Sequence, residues 1–309
     1  MRLNIVTVDS GWILQKIAER ADAHMPPGVE CVITHEPYYA TEDGEFSHYW
    51  YCDFQNCYHH YKERAPRAIH VAYFTHAHEN SPIWMKNALD QQGGWSLDGM
   101  VSMNQRYTDM LRDVGWTKPI LTTTPPANAG DFPLRKTRLL IANRGGFPGY
   151  GHDFMLSLSE GYEEFFQHNF EFTFVGNGWE PVIDKFKQAE IEVEHYKDSQ
   201  IDYPNTYRKF YHNNDYLLVP ILWTAGSFSA MEAHLTGLPI IASDVGLFNY
   251  EVEPEYCYPP GDKEALIEIL TNIRSEIQQR RDRIIQLNDW NSYSEKIVNF
   301  MKGLKNGSS

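Results

Sequence analysis

Apolar positions along the chain follow two periods that alternate. Residues 3–8 are β-branched and alternate in polarity, as a strand requires, and after the turn Asp9-Ser10-Gly11 the residues Ile13, Leu14, Ile17 and Ala18 return at helical spacing. Further strands are predicted at 29–34, 69–75, 98–103 and 119–122, with a helix at 104–114. Pro, Gly and small residues at 123–133 forbid regular structure and mark a linker. The alternation then restarts, with strands at 138–142, 171–175, 191–195, 216–219 and 239–242. Helices are predicted at 153–167, after Pro181, and at 206–212, 229–235 and 263–286. The last segment, 292–304, is amphipathic, with Tyr293, Ile297, Phe300 and Met301 on one side. Strands that alternate with helices predict α/β architecture with parallel sheets, here in two successive open-sheet domains. Their ligands are expected beyond the carboxyl ends of the strands, so two such domains would place their loop edges around a shared cleft.

Composition narrows the function. The 309 residues suit two domains of about 130–160 residues each. Acidic residues outnumber basic ones 41 to 27, for a net charge of -14, which argues against nucleic acid as partner because phosphate neutralisation supplies most of that affinity. The same balance disfavours docking to anionic membranes. No apolar stretch approaches the roughly 20 residues that span a bilayer, so no integral membrane segment is expected. The opening run MRLNIVTV stops at Asp9, too short for a signal-peptide core. Four cysteines in a chain of this length read as reduced thiols, and the expected location is cytoplasmic.

The chemistry concentrates between residues 217 and 252. Gly226 and Ser227 allow a tight turn into a helix, so N–H groups near Ser227, Phe228, Ser229 and Ala230 are expected to face outward. With the positive end of the helix dipole they suit a diphosphate. Glu232 follows one turn on, as a carboxylate acceptor for ribose hydroxyls, and Gly237-Leu238-Pro239 ends the helix and opens the next strand. Read by itself, this string also describes an ordinary strand–loop–helix–strand with a solvated glutamate.

As a whole the string, with Glu232-Ala233 before Thr236-Gly237-Leu238-Pro239-Ile240-Ile241-Ala242, resembles the nucleotide-sugar site of retaining glycosyltransferases with the GT-B architecture. That large family (glycosyltransferase group 1) includes sucrose synthase and bacterial mannosyl- and glucosyltransferases. The resemblance implies two Rossmann-like domains facing a cleft. An acceptor-side domain is expected at 1–127, a nucleotide-sugar domain at 134–288, and at 289–309 a C-terminal helix and tail crossing back to the N-terminal domain. It also implies that Arg144, after the strand at 138–142, grips the donor phosphates, for which a guanidinium is suited. Gly176 and Asn177 are implied at the nucleotide base. Gly11, in the Gly-containing loop after the first strand, is implied near the donor phosphates. His76 is placed at the reacting sugar, with His78 as its rival.

Two positions depart from the family pattern. Thr224 stands where the family has the first of two glutamates, at the donor sugar, so a neutral hydroxyl replaces a carboxylate in the catalytic set with His76. The phosphate lysine is missing, and Tyr150-Gly151-His152 lies near its place, with His152 or Lys197 as substitutes. Cys52, Cys57, His59 and His60, with His48 nearby, form one short run that does not make a zinc site. Gly145-Gly146 and Gly176-Asn177-Gly178 do not complete a dinucleotide fingerprint, and there is neither a P-loop nor a Gly-x-Ser-x-Gly elbow. The resemblance implies a metal-independent, cofactor-free activity in which a sugar passes from a UDP- or GDP-sugar to an acceptor hydroxyl, on a glycan or small molecule, with retention. The alternatives are a catalytically weak nucleotide-sugar-binding scaffold and a sugar-nucleotide epimerase.

Overall fold

A computed structural model describes residues 1–8, 13–36, 46–52, 65–74, 86–87, 89–90, 94–146, 149–223, 227–249, 252–287 and 289–304. The chain forms two compact units, Met1–Phe132 with Arg281–Ser309, and Pro133–Arg280. The break in the first connection therefore falls at the end of the proline- and glycine-rich linker.

In the first unit the strands are β1 (Arg2–Val8), β2 (Glu30–Glu36), β3 (His48–Tyr51), β4 (Ile69–Phe74), β5 (Gly99–Ser102) and β6 (Ile120–Thr122). They lie in the order β2-β1-β3-β4-β5-β6, and every pairing is parallel. Helices α1 (Ile13–Asp22) and α2 (Gln105–Asp113) follow β1 and β5. The side-chain period of two sorts each strand between faces. On β1, Leu3 and Ile5 pack with α1 residues Leu14, Ile17, Ala18 and Ala21, whereas Val6 packs on the other side with Tyr49, Tyr51, Ala72 and Leu111. Strand β3 carries aromatic residues in place of an aliphatic run, and the hydropathy pattern did not announce it. Its Trp50 is fully buried.

The second unit holds β7 (Thr137–Ala142), β8 (Phe170–Val175), β9 (Glu192–Tyr196), β10 (Tyr216–Val219), β11 (Ile240–Ser243) and β12 (Tyr256–Tyr258), again all parallel, in the order β12-β11-β10-β7-β8-β9. Its helices are α3 (His152–Leu158), α4 (Glu163–Asn169), α5 (Glu180–Gln188), α6 (Asn205–Asn213), α7 (Phe228–Thr236) and α8 (Lys263–Leu287). Leu139 and Ile141 of β7 face a phenylalanine-rich layer with Phe154, Phe166, Phe172, Phe186 and Leu270, and Leu140 and Ala142 face Phe210, Tyr211, Ala230 and Ala233. Helices α3, α4, α5 and α8 thus cover one face, while α6 and α7 cover the other. The single helix expected at 153–167 is two: Gly161 takes φ 81, a left-handed conformation that ends one helix and lets the chain turn into the next.

Helix α8 runs on past Arg280, and α9 (Trp290–Gly303) follows within the first unit. The Asp289 side chain caps α9 by accepting from Ser292 N–H at 2.9 Å. Tyr293, Ile297 and Met301 of α9 are fully buried in the same apolar layer as α1, and the Ser294 hydroxyl donates to the Ala21 carbonyl at 3.0 Å. No helix among the described residues is long and apolar enough to cross a membrane.

Candidate functional site

The carboxyl ends of β7 and β10 and the first turn of α7 border a cavity of about 680 Å³ in the second unit. Its lining includes Asn143, Arg144, Tyr203, Phe228, Ser229 and Glu232. Such a volume suits a ligand of nucleotide size, and the place is where open parallel sheets bind ligands.

Arg144 follows the last residues of β7, in a loop pinned from two sides. The Trp179 indole N–H donates to the Asn143 carbonyl at 2.6 Å, and the Asn143 carboxamide donates to the Tyr150 carbonyl at 3.1 Å. The 176–178 loop lies directly against it, with Gly145 N–H donating to the Asn177 carbonyl at 2.9 Å. Gly178 has φ 87, and a Cβ there would stand 2.3 Å from the Gly146 nitrogen, so only glycine lets these two loops meet. The paired glycines read in the sequence thus serve loop-on-loop packing.

Helix α7 begins at the cavity. Ser227 is its N-cap, with Oγ accepting from Ala230 N–H at 3.3 Å and bonding Ser229 Oγ at 2.8 Å. This corrects one expectation. The Ala230 amide is taken by the cap, and the donors with no partner inside the helix are those of its first turn, Phe228 and Ser229. The Phe228 side chain is 80% exposed.

Glu232 is held tightly. Tyr203 Oη donates to its Oε1 at 2.8 Å and Tyr211 Oη to its Oε2 at 2.7 Å. Burial, then the bond to Glu232, pushes the Tyr211 phenol far above its ordinary pKa; the Glu232 bond raises Tyr203. Burial pushes Tyr207 up to about 12, with the Glu232 charge adding to it. All three phenols therefore remain protonated, and two of them, Tyr203 and Tyr211, donate to the one carboxylate.

The structure brings Arg144, Ser227, Phe228, Ser229 and Glu232 into one cavity. Gly176 and Asn177 stand one step back. Asn177 Nδ2 donates to Asp198 Oδ2 at 2.9 Å and Asn177 Oδ1 accepts from Asp198 N–H at 3.2 Å, while the Arg144 Nε lies 3.5 Å from Asp198 Oδ2. Of the two lysine substitutes, His152 is stacked on Trp179 and bonded to Asp153 at 3.1 Å, and Lys197 is paired with Glu180 at 3.0 Å. Gly11, His76, His78, Thr224 and Gly226 lie outside the described residues. Of the cysteine–histidine run, Cys52 is buried in the core, and Cys57, His59 and His60 lie outside the described residues. No group of three or more His, Cys, Asp or Glu side chains among the described residues is arranged to hold a metal.

Sequence reasoning missed Asp198 and the three tyrosines. The spacing of Tyr207 and Tyr211, i and i+4 on α6, was a usable signal because it puts two rings on one helical face, whereas Tyr203 precedes the helix. Asp198 carried none, since its role depends on a loop far away in the chain.

Residues 148–276 match the sequence family described as Glycosyl transferases group 1. A search of curated proteins found no match. Among solved structures, the chain is similar to Anabaena HepE in complex with UDP and glucose, at 10% identity and TM-score 0.41, covering 98% of this chain and 100% of that one. It is also similar to the apo form of the lipopolysaccharide outer core galactosyltransferase WaaB, at 12% identity and TM-score 0.39, covering 97% and 100%. A third is sucrose-phosphate synthase of Thermosynechococcus elongatus, at 13% identity and TM-score 0.39, covering 98% of each chain. The matched segment contributes Tyr150, Tyr203, Ser227 and Glu232 to the cavity lining, whereas Asn143 and Arg144 precede it.

Proposed function

We propose that this protein is a glycosyltransferase whose second unit binds a nucleoside-diphosphate sugar, UDP- or GDP-linked, in the cavity beside Arg144 and α7. The observation that carries the reading is the gathering of a guanidinium, a helix N-terminus and a fixed carboxylate around one nucleotide-sized space. Arg144 and the first-turn amides of α7 meet the diphosphate, and Glu232 meets the ribose. The bond between the anomeric carbon and the phosphate oxygen breaks as a bond to the acceptor oxygen forms, and the acceptor proton leaves with the departing phosphate. Negative charge grows on that phosphate, and donors already in place stabilise it more than the ground state. In this reading no metal is needed, the configuration is retained as in the family the sequence resembles, His76 and Thr224 act at the reacting sugar, and Gly11 approaches the donor phosphates. The acceptor is a hydroxyl of a glycan or small molecule. Free thiols at Cys31, Cys52 and Cys257 fit a reducing, cytoplasmic setting.

Calorimetry with UDP and GDP sugars tests this. Arg144→Ala and Glu232→Ala are each expected to lower affinity at least about tenfold while leaving the melting temperature near that of the wild type. Wild-type affinity in the folded double variant would refute the site.

A second reading, a nucleotide-sugar-binding scaffold with little turnover, is favoured by one observation. Both residues that could replace the missing phosphate lysine are engaged elsewhere, His152 with Asp153 and Trp179 and Lys197 with Glu180. Release of free UDP or GDP in the presence of an acceptor panel separates the two readings, since a scaffold binds donor without releasing nucleotide.

A further inference from the structure

Glu232 projects from a helix on a side chain with three rotatable bonds, and an unrestrained glutamate there would sample several rotamers. Here both oxygens are occupied by phenols of different character. Tyr211, on α6, is 4% exposed, and its bond at 2.7 Å comes from inside the unit. Tyr203, just before α6, is 67% exposed and lines the cavity. Tyr207 lies between them and lines the same cavity, with ring centroids 5.8 Å from Tyr203 and 5.7 Å from Tyr211. A carboxylate offers about four lone-pair sites, so two phenol donors leave about two for a ligand. Those remaining sites have one orientation because the first two are taken.

Resting on the donor-site reading above, we propose that Tyr211 and Tyr203 are positioning residues that aim Glu232 at a vicinal diol, making the cavity selective for a ribonucleoside diphosphate over its 2′-deoxy counterpart. Tyr211 is the fixed brace, anchored in the core of α6. Tyr203 is the outer brace, and its exposed ring forms the cavity wall against which the nucleoside lies. Selectivity arises because a ligand lacking one hydroxyl leaves an oriented acceptor, already stripped of part of its water, without a donor. A freely rotating glutamate would lose much less, since it could turn to solvent.

The test measures binding of UDP, GDP, dUDP, dGDP and inorganic pyrophosphate to the full chain by calorimetry, for wild type, Tyr211→Phe, Tyr203→Phe and Glu232→Gln. Wild type is expected to favour the ribonucleotide it binds over the 2′-deoxy form by about tenfold. Tyr211→Phe is expected to lower ribonucleotide affinity severalfold while leaving the 2′-deoxy nucleotide and pyrophosphate nearly unchanged, which collapses the preference. Tyr203→Phe, exposed and removing one oxygen only, keeps the inference testable should Tyr211→Phe fail to fold, and it should reduce the preference by a smaller factor. An equal loss for all ligands, or an unchanged ribo-to-deoxy preference in both variants, overturns the positioning role while leaving the donor site standing. Absence of nucleotide binding in the wild type overturns both.

Discussion

Arg144 shows what a single residue discloses in sequence and what it conceals. The family resemblance of the segment around it made it a phosphate candidate, and it does border the cavity. What could not be read was its partner. Asp198, in the 3-10 turn Asp198–Gln200 after β9, lies 3.5 Å from the guanidinium and is itself held by Asn177. With the Arg144 side chain 66% exposed, such a pair contributes little to stability. It does compete with any phosphate for the same guanidinium. Asp198→Asn is therefore expected to leave the melting temperature nearly unchanged and to raise pyrophosphate affinity about two- to fivefold, read by calorimetry. A drop in affinity would instead make Asp198 a brace that aims Arg144.

At the scale of elements, the β7–β10 junction illustrates how local charge sets strand register. Asp215, just before β10, takes two hydrogen bonds from Arg135 at 2.8 and 2.7 Å and one from Arg138 N–H at 2.9 Å, and its own N–H donates to the Arg138 carbonyl at 2.9 Å. Burial alone would raise the Asp215 pKa, but these donors outweigh it and hold the carboxylate below its ordinary value. A depressed folded-state pKa contributes stability that is complete above the unfolded value of about 3.9 and is lost as pH falls through the folded one. Asp215→Asn is thus expected to cost about 1 kcal/mol at pH 7 by urea denaturation and to flatten part of the decline below about pH 4. An unchanged acid limb would mean other carboxylates govern it. Most elements were legible because their apolar periods are long. The exceptions have physical causes: β3 is built of aromatic residues, β12 has three residues, and Gly161 divides a continuous helical pattern into two helices.

The whole molecule is organised unevenly along the chain. The second unit is contiguous, whereas the first is made of two segments, the later one including α9. Tyr293, Ile297 and Met301 fill the layer that also buries Leu3, Ile5 and Trp50, so the first unit lacks part of its core without the end of the chain. A fragment of residues 133–280 is expected to unfold cooperatively by itself, and a fragment of 1–132 to do so only when 281–309 is supplied. Circular dichroism melts would check both, and cooperative folding of 1–132 alone would show that α9 is dispensable.

By itself the sequence determined the α/β class, the succession of two parallel sheets, and a helix start with Glu232 as the place to look for chemistry. These are local matters, set by the period of apolar residues and by turn residues between neighbours. Only the tertiary structure decided that Asp198 engages Arg144 and that Tyr203 and Tyr211 hold both oxygens of Glu232. Each depends on a side chain that must choose among partners in three dimensions. The partners of Arg144 and Glu232 are remote in the chain, and no spacing rule along a sequence encodes which of several hydrogen-bonding groups will be nearest once the sheet has closed.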